Sequence, residues 1–433
     1  MAATKTPTSV QSNINGLDDY GYPLPSGRKA KLRRSGIRAS KGVLAACISL
    51  LMNIIGVLLW LSRRGQCLPP LTPQTFQPQR ILVIRLDLIG DLVLSLTVVR
   101  ALKRTYPDAE IDLLAVPASG SIASHDPDLH EIIGYDPNIW RRPRALLRWK
   151  NWREARVLLK RLRGRHYDLA ISVFGPWAAL LAVLSGAPRR VGFGREGYFG
   201  FMTDSVPGRH WKPGDRKHEV DYCLQLAQKA GATITPEDRI PRLYVAAGAQ
   251  QAVARLLREA GAREGDGPLI ACHVSSNNGQ SKRWPLPYWA TLLDRLIRER
   301  HAHVVLTGAP ADLPLIAEIT SRMREQPINL AGKTSLPQLA ALLQRADLMI
   351  TGDSGPMHIA AAVGTPLIAI HGPTDPAQSG PVSPQATMLR STIWCSPCYR
   401  AKDTADCRFY TTQCMKNITP SQVFAVVRKK LEA

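Results

Sequence analysis

Acidic side chains are in short supply: 34 Asp and Glu face 56 Lys and Arg, a formal net charge of +22 over 433 residues. That imbalance suits an anionic partner, whether a membrane surface, a phosphorylated substrate or nucleic acid. No recognised nucleic-acid module accompanies the charge, so nucleic acid is set aside. No Walker lysine is present, so a phosphate would have to be held mainly by backbone N–H groups. The one long apolar run, residues 42–61, has no small-x-small cleavage site after it, and Cys67 follows Arg64-Gly65-Gln66, which is no lipoprotein context. Both absences argue against a cleaved signal peptide.

What is present begins with a polar leader. Residues 1–41 are rich in Pro, Gly and Ser and carry a basic cluster from Arg28 to Lys41, the composition of a disordered segment. Residues 42–61 are uncharged and, as a helix, long enough for a hydrocarbon core of about 30 Å. They are read as an uncleaved membrane-associated helix, against the competing reading of a helix buried in a soluble core. Basic residues on both flanks put the N-terminus in the cytoplasm, which would leave the body outside. Four prolines mark residues 62–79 as a linker.

Strand and helix then alternate. Ile81–Leu86 reads as a buried parallel strand, the turn Asp87–Asp91 leads into a helix with Leu92, Leu96, Val99 and Leu102 on one face, and further strands are expected at Ile111–Val116, near Ile132-Ile133 and at Leu169–Phe174. Such alternation marks an α/β fold with a parallel sheet, whose ligands sit beyond the carboxyl ends of its strands. Arg141 to Arg165 holds eleven basic residues against Glu154, interleaved with Trp149 and Trp152 and preceded by Trp140. A basic, Trp-bearing helix can lie on an anionic membrane face, although a solvated helix with its Trp in the core has the same pattern. Gly192-Phe193-Gly194-Arg195-Glu196-Gly197 matches the dinucleotide fingerprint by letter, but no amphipathic helix follows it and it stands late in its domain. It is read as a glycine-rich loop lining the cleft.

After a crossing between about Thr235 and Asp266, the design repeats: a strand at Leu269–Val274, helices at Tyr288–Arg300, Leu313–Arg324 and Leu336–Arg345, and a strand at Val304–Leu306. The stretch from Leu348 to Pro366 then reads strand, tight turn, helix. Ser354 is a good N-cap, Pro356 suits a first turn, and Gly364 closes the helix. The N–H groups of Ser354, Gly355 and Met357 would point out of the helix start, where the macrodipole favours an anion such as a diphosphate. Lys282 lies in the loop after the first strand of this half, placed to meet a phosphate near Ser354. Asp312 follows the strand ending at Leu306, where a carboxylate can accept ribose hydroxyls. Either residue could equally be a surface charge.

Ile89-Gly90-Asp91, Lys282-Arg283-Trp284-Pro285, Asp353-Ser354-Gly355-Pro356-Met357-His358 and His371-Gly372-Pro373-Thr374-Asp375-Pro376 stand in this order, and over about residues 80–430 the chain resembles glycosyltransferase family nine, the ADP-heptose:lipopolysaccharide heptosyltransferases. The resemblance implies a GT-B architecture, two Rossmann-like domains facing across a cleft, with residues 80–235 on the acceptor side, residues 236–418 binding the nucleotide sugar, and a C-terminal helix, 419–433, packing back on the first domain. It implies inverting transfer of a heptose from ADP-heptose to a lipopolysaccharide-core-like or other lipid-linked glycan, with no cofactor and no catalytic metal. Asp91 would be the general base, its competing reading being an N-cap of the following helix. Lys282, Asp353, Ser354, Gly355 and His358 would hold the donor together with Asp312 and with Ser276 or Asn277, between which a longer loop leaves the phosphate contact open. Arg85, Gly90 and Gly194 fall on the acceptor side.

An ADP-sugar donor is cytoplasmic, so the body is expected to face the cytoplasm at the inner membrane, against the charge flanks. Cys395, Cys398, Cys407 and Cys414 follow C-x2-C-x8-C-x6-C, which could hold structural zinc but is not a standard ribbon. The alternatives are the same fold with another nucleotide sugar, or a catalytically silent membrane-tethered glycan-binding scaffold.

Overall fold

The computed structural model describes residues 49–63, 68–141, 143–194, 200–208, 216–262, 265–276, 279–399, 407, 409 and 411–432. The leader, residues 42–48 of the apolar run and Asn277 lie outside the described residues. A helix over residues 49–62, α1, precedes the first sheet. There follow β1 (Arg80–Arg85), α2 (Ile89–Thr105), β2 (Glu110–Ala115), α3 (Pro117–Gly120), β3 (Glu131–Gly134), α4 (Trp149–Gly164), β4 (Leu169–Ser172), α5 (Gly175–Leu184), β5 (Arg189–Phe193), β6 (Asp204–Val206) and α6 (Glu219–Lys229). The second half runs α7 (Ala247–Glu259), β7 (Leu269–His273), α8 (Leu286–Arg300), β8 (His303–Thr307), α9 (Leu313–Thr320), β9 (Ile328–Asn329), α10 (Leu336–Arg345), β10 (Leu348–Gly352), α11 (Gly355–Val363), β11 (Leu367–His371), α12 (Pro376–Ser379), β12 (Ala386–Arg390), α13 (Gln413–Lys416) and α14 (Pro420–Leu431).

Both sheets are parallel and share one topology, β3-β2-β1-β4-β5-β6 and β9-β8-β7-β10-β11-β12. The apolar run Ile81–Ile84 is buried on both faces, as a central parallel strand must be, and pairs Ile81 with Ile111 on one side and Leu169 on the other. Strand order reverses between β1 and β4 and again between β7 and β10, so each half has its crevice at the carboxyl end of β1 or β10. Asp91 follows β1 and Ser354 follows β10, which puts the two strongest candidate loops at the two switch points.

Three expectations change. β5 and β6 complete the first sheet where a cleft loop was read: Gly192 and Phe193 are strand residues, and the Gly194 N–H donates to the Val206 carbonyl at 3.0 Å. A Cβ on Gly192 would stand 2.6 Å from the Met202 sulfur, so close packing accounts for that glycine. The C-terminal helix does not return to the first domain. Val423, Phe424 and Val427 of α14 join Trp289, Leu292 and Leu296 of α8 in the second core, and the Arg295 guanidinium lies 3.9 Å from the Phe424 ring centre. The Trp284 indole donates to the Ile418 carbonyl at 2.8 Å, and α14 starts at once behind the Thr419 capping box, which leaves no chain to recross the cleft. Finally, no helix among the described residues is long and apolar enough to cross a membrane. α1 lies against the first domain, Gly56 touching Gly200, and Arg63 donating to the carbonyls of Gly200 and, at 3.5 Å, Met202.

Phe424→Ala removes a buried ring from the α14–α8 seam and should lower stability by about 3 kcal/mol. Urea unfolding of the full chain reads that shift; an unchanged midpoint would mean that α14 is not part of the second core.

Candidate active site

The starts of α2 and α11 meet across the cleft. A Cβ on Gly355 would lie 3.5 Å from the Gly90 nitrogen, and one on Gly90 would lie 2.6 Å from Cδ2 of His358. Only glycine at 90 admits the His358 ring at that distance. A helix start carries N–H groups that have no intrahelical partner and the positive end of the macrodipole. Bringing two such ends together is costly unless an anion lies between or beside them.

On the first-domain side, Asp91 is the third residue of α2, whose N-cap is Leu88, so the capping reading of Asp91 does not hold. Its carboxylate is about one third exposed, with Oδ1 3.5 Å from Arg85. Arg85 is buried at the end of β1 and is also paired with Asp87 at 2.6 Å and Glu219 at 3.1 Å, with its guanidinium over the Phe174 ring. Burial works to lower its pKa, and the three carboxylates outweigh burial and raise it well above its ordinary value, so Arg85 is a fixed cation behind Asp91. Gly194 lies two strands away, at the end of β5.

On the second-domain side, Ser354 is the N-cap of α11 by position, but its hydroxyl pairs with Thr351 Oγ1 at 2.9 Å and does not cap the helix. The Met357 N–H closes a turn onto the Ser354 carbonyl at 3.2 Å, so of the expected trio of donors this one is used within the helix start. Lys282, in a turn after β7, reaches the buried Asp353 at 2.7 Å and lies 4.3 Å from the Tyr399 ring centre. Burial would raise the Asp353 pKa; Lys282, His371 and His358 together hold it below its ordinary value. Burial pushes His358 down to about 4 against the pull of Asp353, so its imidazole is neutral near pH 7, with Nδ1 buried and unpartnered. His371 is also buried and held low, first by burial, with Nε2 unpartnered. Ser276 donates to the Asp353 carbonyl at 3.4 Å, inside this cluster. Asp312 is buried at the end of β8, but its Oδ2 accepts from the Ala309 N–H at 2.7 Å and thereby also closes a local turn.

The structure adds residues that sequence reasoning passed over. Asp87 and Glu219 share Arg85; His371 and Tyr399 complete the surroundings of Asp353 and Lys282. His218 donates from Nε2 to the Gly380 carbonyl at 3.0 Å, since its Nδ1 accepts from the Val220 N–H, and so links the two halves. Glu219 stands 134 positions from Arg85, and no local pattern joins them. None of the four C-terminal cysteines forms a disulfide among the described residues. Burial and the other three thiols push Cys414 up to about 12, while N–H groups of Thr412, Phe409 and Thr411 outweigh burial and lower Cys407. Among the described residues no three His, Cys, Asp or Glu side chains are placed to hold a metal, so the zinc expectation gains no support.

Two parallel Rossmann-type sheets whose switch-point helices meet, with a carboxylate on one side and a lysine on the other, are the arrangement of a GT-B-like α/β fold. Residues 155–408 match the family model described as glycosyltransferase family 9 (heptosyltransferase). Lipopolysaccharide heptosyltransferase 2 of Salmonella typhimurium is 30% identical over 319 residues, covering 72% of this chain and 88% of that protein. The solved ADP-heptose lipopolysaccharide heptosyltransferase II of Escherichia coli superposes with a TM-score of 0.64 at 27% identity, covering 81% of this chain and 98% of the other. A family 9 glycosyltransferase from Veillonella parvula gives a TM-score of 0.69 at 22% identity over 82% and 98% of the two chains. The chain belongs to glycosyltransferase family 9.

His358 titrates at about 4 in the folded chain and near 6.5 unfolded, so the unfolded state binds the extra proton between those values. Stability should therefore be complete above pH 6.5 and fall as pH drops toward 4, by roughly 3 kcal/mol for this group alone. His358→Gln should flatten that part of the stability profile in urea titrations; an unaltered profile would mean that His358 is not buried neutral.

Proposed function

We propose that this enzyme moves a heptose from ADP-heptose to a lipopolysaccharide-core-like or other lipid-linked glycan acceptor, with inversion at the anomeric carbon and without a metal or other cofactor. The observation that carries the proposal is the meeting of the α2 and α11 starts, which sets Asp91 on one lip against the start of α11 and Lys282 on the other. The relatives' names supply the sugar and the acceptor class.

In this reading the diphosphate lies at the start of α11, its charge met by Lys282, the N–H groups of Ser354 and Gly355, and the macrodipoles of both helices. Lys282 exchanges part of its pairing with Asp353 for the phosphate. Ser276 or Asn277 adds a phosphate contact and Asp312 accepts from the ribose. His358, neutral at pH 7, offers Nδ1 to the donor without adding charge. The acceptor hydroxyl approaches from the first domain, where Arg85 aims Asp91, Gly90 leaves room beside His358, and Gly194 belongs to the outer acceptor wall. As the acceptor oxygen bonds to the anomeric carbon, its proton passes to Asp91, and the bond to the diphosphate breaks on the opposite face, releasing ADP. Lys282, the N–H groups and the macrodipoles carry the leaving group's charge in this reading, so that the chemistry proposed needs no metal. The substrate chemistry sets the body on the cytoplasmic side of the inner membrane, at an anionic lipid surface.

Calorimetric titration with ADP, UDP and GDP, with and without EDTA, tests the donor site. ADP should bind best and without a metal requirement, and Lys282→Ala should weaken it by about 1.5–3 kcal/mol, the worth of a charge-assisted contact. Asp91→Asn should keep ADP affinity and lose about 10²-fold or more of transfer. Preference for UDP or GDP would remove the heptose assignment but keep the transferase, whereas no nucleotide binding to folded protein would favour a silent scaffold.

A further inference from the structure

We infer that one face of the first domain, formed jointly by α1 and the start of α4, is a docking surface for an anionic lipid leaflet, with α1 lying in the plane of that leaflet. This rests on the membrane location proposed above and adds which surface makes the contact.

α4 and α5 cover the same face of the first sheet: Leu158 and Leu162 of α4 share a core with Leu82, Ile84 and Leu181, and Met202 packs against it. α1 docks at Gly200 and Met202, so it lies on this face too. The face carries two kinds of unpartnered surface. In α1 the side toward the body holds Gly56 and Arg63, and the opposite side exposes Leu50, Leu51, Ile54, Val57, Leu58 and Leu61. Outward-facing leucines in a helix without charged side chains along that stripe are a liability in water. Near the start of α4, Leu147 is 87% and Trp149 80% exposed, with Leu146 and Trp152 exposed beside them.

Around that apolar patch the charge is predominantly positive, Glu154, paired with Lys150 at 3.8 Å, being the acidic residue of α4. Arg153, Arg156 and Lys160 recur at helical spacing with Trp149 and Val157 on the outward side of α4, opposite the buried Leu158 and Leu162. None of the three forms an ion pair among the described residues, nor do Arg144 and Arg148, whereas Arg161 and Arg165 are paired with Glu131 and with Glu110 and Asp112. Exposed Trp and Leu among unpaired Arg and Lys is the chemistry that inserts side chains below a headgroup layer while neutralising its negative charge. A second copy of the chain is the poorer occupant, because two such faces would oppose like charges.

The orientation of α1 follows from its docking. Gly56 and Arg63, two turns apart, both touch residues 200–202, so the helix runs alongside the body over that length. Crossing a bilayer there would pull the backbone carbonyls and Arg63 of this contact into hydrocarbon. Lying in the leaflet boundary inserts the leucine stripe and keeps the docked side with the protein.

The test uses the full chain and preformed vesicles of phosphatidylcholine, alone or mixed with phosphatidylglycerol, with sedimentation as the readout. Binding should require the anionic lipid and be released by about 0.5 M NaCl. The triple variant Arg153→Glu, Arg156→Glu, Lys160→Glu should weaken it about tenfold or more, and Leu147→Ser with Trp149→Ser several-fold. The basic leader is present throughout, so these differences read the α4 face alone. ADP affinity, measured in parallel, should not move. Equal binding to neutral vesicles, or no loss in the triple variant, would overturn the proposal, as would a dimer in light scattering that Leu147→Ser with Trp149→Ser dissociates. Protein that resists salt and needs detergent for release would overturn the in-plane orientation. Loss of nucleotide binding with lipid binding intact would strike the transferase reading and leave this surface standing.

Discussion

Two helix starts with positive ends are held against each other, and the cleft is organised around that contact. It depends on position 90 carrying no side chain, which lets the His358 ring sit beside Gly90. Both helices are fixed from behind: α2 packs into the apolar core of the first domain through Leu92, Leu96, Val99 and Leu102, and α11 through Met357, Ile359 and Ala360. Hydrophobic burial thus supports an electrostatic arrangement that is unfavourable by itself.

The charges nearby divide the labour. On the first-domain side a buried Arg85 with three carboxylates leaves net negative charge at the lip, which suits a proton acceptor. On the second-domain side Lys282 and the macrodipole face a single buried carboxylate, Asp353, and burial keeps His358 and His371 from adding further positive charge. A carboxylate facing a cationic pocket matches displacement at a sugar carbon, where a proton leaves on one side and a phosphate on the other.

The remaining excess of positive charge has a different address. Along α4 the unpaired cations lie on the outward side, with exposed Trp149, Trp152 and Val157 among them. The basic composition therefore serves two surfaces: a few buried, paired cations at the site and many exposed, unpaired ones on the outer face.

The local order of elements was legible in the residues. Continuous apolar runs such as Ile81–Leu86 and Leu348–Ile350 gave the central strands, and the glycines and caps around Ser354 and Gly364 marked the turn and the helix end, because backbone conformation and burial on two faces leave a short-range signal. The four motifs were enough to place the chain in its family and its candidate side chains at the switch points. What needed the tertiary structure were relations between distant residues: Glu219 on Arg85, the His358 ring on Gly90, Gly192 against Met202, and α14 on the second domain. In each case the deciding quantity is a contact between segments far apart in the chain. A strand's period or a helix cap is written in neighbouring residues, whereas the partner of a buried charge or of an apolar helix face is set only when the sheets have brought it there.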